Sequence, residues 1–390
     1  YIFGVIKRSR YVSAVRESIE RNPVTAILGP RQCGKTTLAR MVGKASDTVY
    51  FDLENPEDVL RLAAPMRTLE DLTGLVVIDE IQRQPSLFPR LRVLVDRPEC
   101  HARYLVLGSA APDLVKGVSE SLAGRVGFVD LAGFDLGEVG ADSMKSLWNR
   151  GGFPRSFLSV NDKASLAWRM DFIRTFLERD LPQLGVHIPT ETLRRFWTML
   201  AHFHGQIWNA SELARSMGFS ENTIRHYLDL LCGAYMARRL PPWFENLGKR
   251  QVKAPKIYLR DSGLLHALLR IENGHALLGH PKLGASWEGF VLEQLAGRFP
   301  ARDMYYWRTY NGAELDVLLL HNGKKWGFEI KYADAPDLTR SMRMAMSDLK
   351  LSRLFIVYPG KKRIVLDKNV EVISINDVAG LELSGDEHED

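Results

Sequence analysis

The sequence predicts an α/β protein in three parts: a doubly wound parallel sheet, a helical middle and a second, C-terminal α/β sheet. Three observations predict it. Residues 1–140 alternate short apolar runs with helix-like stretches, residues 141–205 keep only the helical period, and residues 284–376 return to strand-like runs. Apolar strands alternating with helices give a parallel sheet covered on both faces.

The N-terminal strands are expected at Val24–Leu28, Thr48–Leu53, Leu75–Ile78, Tyr104–Leu107 and Val126–Leu131. Each is short and mostly apolar, as a strand buried on both faces must be. In the middle, helices are expected at Ala164–Glu178 and Glu191–Phe203, with Gly151-Gly152-Phe153-Pro154 as a turn between elements. Over residues 206–283, Asn209 caps a helix with Glu212 as its reciprocal partner, and Gly218 ends it. Ser220 caps a second helix with Ile224, Tyr227, Leu228 and Leu231 inward. Strands Tyr235–Leu240 and Lys256–Leu259 follow, around a loop with Lys249, Arg250 and Lys253. This is a winged helix-turn-helix pattern. The last part, 284–380, reads as helix Ala285–Arg298, strands Met304–Arg308, Glu314–Leu320 and Trp326–Tyr332, helix Leu338–Leu349, and strands Leu354–Tyr358 and Val370–Ile375. Asn322-Gly323 suits a two-residue hairpin. Residues 381–390 form an acidic tail.

Bulk properties exclude several classes. At 390 residues the chain exceeds a single core. Its 45% hydrophobic and 25% charged residues are those of a globular protein, and a net charge of +5 permits a nucleic-acid partner without requiring one. Cys33, Cys100 and Cys232 lie far apart with no CxxC pair, which excludes a zinc ribbon or disulfide framework. No apolar run approaches the ~18 residues of a membrane span, and the first residues meet charge too soon for a signal peptide. A cytoplasmic protein with no membrane partner is expected.

Two constellations carry chemistry. The first is Gly29-Pro30-Arg31-Gln32-Cys33-Gly34-Lys35-Thr36-Thr37, directly after a strand and directly before a helix. Glycines at both ends let backbone N–H groups turn toward phosphate, and the helix N-terminus adds partial positive charge. Lys35 is expected to reach the β- and γ-phosphates of ATP, and Thr36 to ligate Mg²⁺. Leu75-Val76-Val77-Ile78-Asp79-Glu80 ends a buried strand in two acids at the edge where such sheets bind ligands. Asp79 is placed to hold Mg²⁺ and Glu80 to polarise the attacking water.

The P-loop, Asp79-Glu80, Gly108-Ser109 and Ser121-Leu122-Ala123-Gly124-Arg125 together resemble prokaryotic AAA+ ATPases. The resemblance implies a P-loop AAA+ sheet over 1–140, Ser109 as the polar residue beside the γ-phosphate, and Arg125 as an arginine finger acting on a neighbouring subunit of a homo-oligomer. Gly151-Gly152-Phe153-Pro154, Glu178-Arg179-Asp180-Leu181-Pro182 and Asp261-Ser262-Gly263-Leu264 resemble motifs of a subgroup. It couples an AAA domain to a C-terminal domain of unknown function.

The second constellation is Asp316, Glu329 and Lys331. Glu329 and Lys331 are two apart on one strand and share a face, and Asp316 lies on the preceding strand of the hairpin. Two carboxylates suit a divalent metal, with Glu288 on the preceding helix as a third ligand, and a lysine steadies developing negative charge. The order of elements and these residues resemble the PD-(D/E)XK restriction-endonuclease fold, although Leu315 stands where that family often has proline. Two blander readings stay open: a solvated cross-strand ion cluster, or a nuclease-like fold used only for binding. Trp307, Arg308, Tyr310, Lys324 and Lys325 are candidates for nucleic-acid contact. Asn222, Arg225 and His226 on the second helix suit either DNA or protein contact.

Two functions follow. One is an ATPase coupled to DNA binding and Mg²⁺-dependent cleavage. The other is a nucleotide-gated scaffold or switch with an inert C-terminal site, acting on protein partners.

Overall fold

A computed structural model describes residues 5–44, 47–109, 118, 120–183, 186, 188–244 and 252–383. Lys249, Arg250 and nearly all of the acidic tail lie outside the described residues. The chain divides into two compact units, residues 1–133 with 230–236, and residues 134–229 with 237–390.

The first unit is built on five parallel strands: β1 (Val24–Gly29), β2 (Thr48–Asp52), β3 (Gly74–Asp79), β4 (Ala102–Ser109) and β5 (Val126–Asp130). Their order is β2-β3-β4-β1-β5. All five match the strands expected from apolar runs; the central β3, β4 and β1 are almost wholly buried, as strands covered on both faces must be, whereas the edge strands β2 and β5 are partly exposed. β1 is buried at every position. One face packs Val15, Leu38, Ala39 and Val42 against Ile27, Val77, Leu105 and Leu107. The helix Ser9–Arg21 that supplies Val15 has no side-chain cap, and it packs through the stripe Val12, Val15 and Ile19.

The register sets the site. Gly29 lies beside Ser109, and Asp52 beside Asp79. The carboxyl ends of β1, β3 and β4 therefore form one edge. Val126 lies beside Val24, so β5 begins at the opposite edge.

The second unit contains the helices, a small antiparallel sheet and a larger mixed sheet. Helix Asp162–Thr175 continues into a π-turn, Phe176–Asp180, and helix Thr190–His202 follows. Strands β6 (Gln206–Ile207), β7 (Ala237–Leu240) and β8 (Lys256–Leu259) pair in the order β6-β8-β7. Helices Ala210–Met217 and Glu221–Gly233 lie between β6 and β7 in sequence. Asn209 accepts from the Glu212 N–H at 3.3 Å, and Gly218 closes the first helix at φ 77°.

The mixed sheet has the order β13-β14-β12-β11-β10-β9. Its strands are β9 (Met304–Arg308), β10 (Glu314–His321), β11 (Lys324–Ile330), β12 (Arg353–Tyr358), β13 (Ile364–Asp367) and β14 (Val370–Ser374). β9, β10 and β11 are antiparallel; β11, β12 and β14 are parallel. Asn322 at φ 50° and Gly323 at φ 72° make the tight turn between β10 and β11. Helix Arg340–Leu349 buries Met342, Ala345 and Leu349 on this sheet, with Leu315, Leu318, Leu354 and Ile356. β13 is an exposed edge strand with only three apolar residues, Ile364 to Leu366, too short a run to declare a strand from sequence.

Two of the glycine motifs form one joint. A side chain on Gly151 (φ 78°) would meet Asp261, and one on Gly263 would meet the Arg150 carbonyl, both at 2.1 Å. Asp261 accepts from the N–H groups of Gly152 and Leu264, each at 2.8 Å. Arg169, fully buried, donates to the carbonyls of Asn149 and Gly263.

Candidate functional site

The loop after β1 is shaped by its glycines. Gly34 sits at φ 99° as it opens helix Lys35–Gly43, a region that L side chains resist. A side chain on Gly29 would strike the Leu131 carbonyl at 2.1 Å. Lys35 is buried and donates to the carbonyls of Gly29 and Pro30 at 3.1 and 2.9 Å. Cys33 is fully buried, which suits a small spacer, and its carbonyl accepts from Arg8 at 3.1 Å. Arg31 pairs with Glu54 and Glu80 at 3.6 and 3.7 Å. Gln32 takes φ 63°, and Thr37 follows Thr36 in the first helical turn.

At the end of β3, Asp79 is 4% exposed and its carboxylate is fully engaged. Oδ2 accepts from Thr36 Oγ1 at 2.7 Å and from the Tyr50 hydroxyl at 2.5 Å. Oδ1 accepts from the Glu80 N–H at 2.9 Å. Burial and the Asp79 charge push the Tyr50 hydroxyl far above its ordinary range. Glu80 adopts φ 55°, a strained left-handed conformation for a non-glycine residue. Its carboxylate accepts from Gln82 Nε2, and Gln82 Oε1 accepts from the Ser109 N–H at 3.2 Å. Ser109 Oγ is buried without a hydrogen-bond partner. Tyr50, Gln82 and Arg8 were missed by sequence reading; only the fold brings them to the loop.

These donors fit Mg²⁺ and a nucleotide. A hydroxyl and a carboxylate already within 2.7 Å of each other are the oxygen ligands Mg²⁺ takes beside phosphate. The unpartnered Ser109 hydroxyl suits a polar ligand at the same edge.

Arg125 is elsewhere. It precedes β5, and its carbonyl accepts from the Val24 N–H at 3.1 Å, so it marks the far edge of the sheet. The five-residue length of β1 beyond Val24 separates the two edges by about 16 Å. Arg125 holds Asp96 through Nε and Nη2 at 2.6 and 2.8 Å, and its hydrogen bond keeps the Asp96 carboxyl below the usual carboxylate range.

The C-terminal acids meet around a cavity of about 630 Å³ in the second unit. β10 is irregular between Leu315 and Leu318, at Asp316. Asp316 is buried and accepts from the Ile330 N–H at 2.9 Å. Glu329 is buried too; Oε1 pairs with Lys331 at 2.7 Å and Oε2 has no partner. Burial raises both carboxyls above their ordinary range, and for Asp316 the Glu329 and Glu288 charges add to it.

A lysine absent from the sequence reading completes the cluster. Lys256, 3% exposed on β8, places Nζ 2.6 Å from Glu314, 3.0 Å from Glu288 and 3.7 Å from Asp316. Tyr258 donates to the same Glu288 oxygen. Burial pulls the Lys256 ammonium down, but Tyr258 and the three carboxylates outweigh that and hold it well above the ordinary lysine range. In sequence Lys256 only opens a short strand whose other residues are apolar or aromatic.

This donor set does not fit a divalent metal as it stands. Glu288 and Asp316 both face the Lys256 ammonium, and among the described residues no three His, Cys, Asp or Glu side chains converge as a metal-holding group.

Other surface candidates divide. Asn222, Arg225 and His226 are exposed on helix Glu221–Gly233, as is Lys253, and Arg225 pairs with Glu221 at 3.3 Å. Trp307 is fully buried in the core and is corrected from a nucleic-acid contact to a packing residue; Tyr310 is exposed. Among the described residues no helix is long and apolar enough to cross a membrane.

The five-stranded order, the loop after β1 and the acid ending β3 define a P-loop domain of the prokaryotic AAA-type ATPases. An AAA domain family matches residues 21–140; families described as domains of unknown function, DUF8612 and DUF4143, match residues 141–275 and 283–378. The chain belongs to the same family as the uncharacterized protein Rv2008c of Mycobacterium tuberculosis, with 54% identity over 374 residues, 96% of this chain and 85% of that one. The uncharacterized protein Mb2031c of Mycobacterium bovis matches to the same extent, at 54% over 374 residues. Among solved structures, the Walker-type ATPase of Pyrococcus abyssi is similar at TM-score 0.49 and 14% identity, covering 68% of this chain and 96% of that one. A signal transduction ATPase with numerous domains from Pyrococcus horikoshii reaches TM-score 0.26 at 14% identity, covering 76% of this chain and 46% of that one.

Proposed function

We propose that the chain hydrolyses ATP and uses the nucleotide state to control a nucleic-acid-binding middle segment. The carrying observation is the 2.7 Å contact from Thr36 Oγ1 to Asp79 Oδ2, one residue from Lys35. In this reading the loop from Gly29 to Thr37 wraps the phosphates. Lys35 leaves the Gly29 and Pro30 carbonyls for the β- and γ-phosphate oxygens. Thr36 and Asp79 would hold Mg²⁺, which would supply neutralisation of the phosphate charge. Glu80 orients and polarises the attacking water, and Ser109 hydrogen-bonds the γ-phosphate. Lys35→Ala should abolish nucleotide binding, whereas Glu80→Gln should bind ATP and barely turn over. Undiminished hydrolysis by Glu80→Gln would remove the assignment.

The middle segment, two helices followed by strands β7 and β8, is read as a winged helix. Asn222, Arg225, His226 and Lys253 are its DNA-facing residues. The combined Arg225→Ala and Lys253→Ala variant should weaken duplex binding across sequences and flatten its salt dependence. Unchanged binding by that variant transfers this surface to a protein partner.

The C-terminal sheet is read as nuclease-like in its order of elements but built to bind rather than cut, since Lys256 sits among its acids. The cutting alternative uses Asp316, Glu329 and Lys331. Its support is the unpartnered, buried Oε2 of Glu329. Plasmid nicking with Mg²⁺ or Mn²⁺, lost in both Asp316→Ala and Lys331→Ala, would establish it.

A further inference from the structure

The acidic centre of the C-terminal sheet already contains a cation. Lys256 reaches it from β8, about thirty residues before Glu288 and sixty before Asp316 in sequence. Its Nζ makes one contact at 2.6 Å, one at 3.0 Å and one at 3.7 Å, each to a different carboxylate. Its own exposure is 3%, so water does little to screen these pairs. Glu314 is also held by Arg308 at 3.4 Å, and Glu329 by Lys331 at 2.7 Å. Four carboxylates therefore face three cations, and one carboxylate oxygen, Glu329 Oε2, stays buried and unpartnered.

A divalent ion of the Mg²⁺ class needs several oxygens at about 2.0–2.1 Å in a near-octahedral set. Lys256 holds Glu288 and Asp316 at ammonium distances and would lie beside any such ion, repelling it. An ammonium, by contrast, donates three hydrogen bonds, and Glu314, Glu288 and the aromatic face of Tyr306 at 5.6 Å surround it.

We propose that the Lys256 ammonium is a built-in cation that fills this acidic centre, so that the site takes no divalent metal while Lys256 is in place. The proposal rests on reading the C-terminal sheet as one that binds rather than cuts. Lys256 is a positioning residue: its ammonium holds Glu288, Glu314 and Asp316 together without a metal. Substituting it leaves three carboxylates around an empty pocket, which is the arrangement a divalent ion would then satisfy.

The test is Mn²⁺ binding to the full chain without nucleotide, followed by the paramagnetic signal of free Mn²⁺. Each protein is compared with its own Asp316→Asn partner, so that ions bound elsewhere cancel. Wild type and Asp316→Asn should bind Mn²⁺ identically. Lys256→Met should gain one site that Lys256→Met/Asp316→Asn lacks, and its thermal midpoint should rise with Mn²⁺ where wild type does not respond. Mn²⁺ bound by wild type and lost in Asp316→Asn would overturn the proposal, as would a folded Lys256→Met that gains no site. If Lys256→Met fails to fold, Lys256→Gln replaces it, and the wild-type comparison stands without either. Plasmid nicking run in parallel separates the two failures. Asp316-dependent Mn²⁺ without nicking sinks the cation proposal alone; Asp316-dependent nicking sinks the binding-only reading as well.

Discussion

Gln82 joins Ser109: its side-chain carbonyl accepts the Ser109 backbone N–H at 3.2 Å, while its amide donates to the Glu80 carboxylate. One side chain thus fixes the acid after β3 relative to the end of β4. Glu80 sits in a left-handed backbone conformation, and its carboxylate is held by Gln82 and, more distantly, by Arg31 at 3.7 Å. Gln82→Ala should free that carboxylate without touching the phosphate loop. ATP affinity should change by less than about threefold, while kcat falls roughly ten- to a hundredfold, the scale of a misplaced general base. Nucleotide titration and steady-state turnover measure the two separately; an unchanged kcat would show that Gln82 has no positioning role.

Arg125 is expected to act on a second copy. It lies at the sheet edge opposite the loop and is bound to Asp96 in two hydrogen bonds. Reaching its own nucleotide would require crossing the length of β1, about 16 Å. Arg125→Ala should therefore leave turnover unchanged in dilute solution. At concentrations where wild-type turnover rises with self-association, the variant should fall at least tenfold behind. A variant that matches wild type at every concentration ends the trans-finger proposal.

Strands and phosphate loop were legible because both are local. An apolar run such as Val24–Leu28 declares a buried strand, and Gly29 to Thr37 declares its chemistry by spacing alone. The hairpin carrying Asp316 and Glu329 was legible for the same reason, through Asn322-Gly323 and the alternation on either side. Lys256 was not. Nothing near it in sequence marks it as a partner of Glu288, Glu314 and Asp316; the packing of β8 beside the later sheet makes it one. Gln82 and Tyr50 were hidden likewise, since each acquires its role from a neighbouring strand. The N-terminal helix keeps an apolar stripe of Val12, Val15 and Ile19 that a closer reading of its period would find, and β13 offers only three apolar residues, Ile364 to Leu366, too few to declare a strand.

The glycine joint gives a stability prediction. Gly151 sits at φ 78°, and a side chain there would meet the Asp261 carboxylate at 2.1 Å. Asp261 cannot yield easily, because it caps the N–H groups of Gly152 and Leu264. Gly151→Ala combines backbone strain with the loss of a buried cap, so destabilisation of roughly 2–4 kcal/mol is expected. Gly274→Ala, where a side chain meets nothing within 4 Å, is the control and should cost about 1 kcal/mol or less. Urea unfolding of both variants checks the contrast; equal losses would show that the joint is not under steric constraint.

Two buried histidines set a pH dependence. His266 places Nδ1 3.1 Å from the Asn149 carbonyl and Nε2 2.7 Å from Ser286 Oγ, which also accepts from Trp148. With Nδ1–H donating to the Asn149 carbonyl and the Ser286 hydroxyl donating to Nε2, the neutral ring satisfies both nitrogens. Burial drives both His266 and His204 down to about 3. Unfolded, each would titrate near 6.5. The unfolded chain therefore binds more protons between these values, and stability is present above about pH 6.5 and lost as pH falls toward 3. Each histidine contributes a slope of about 1.4 kcal/mol per pH unit within that window. Asp316 and Glu329, whose carboxyls are raised, oppose this by gaining stability on protonation. The decisive quantity is thus a difference between proteins. Urea unfolding of wild type and His266→Gln from pH 5 to 7 should show a flatter profile for the variant, by about 1.4 kcal/mol per unit at the acid end. Parallel profiles would mean that His266 is already protonated in the folded chain, against the hydrogen bonding of its ring.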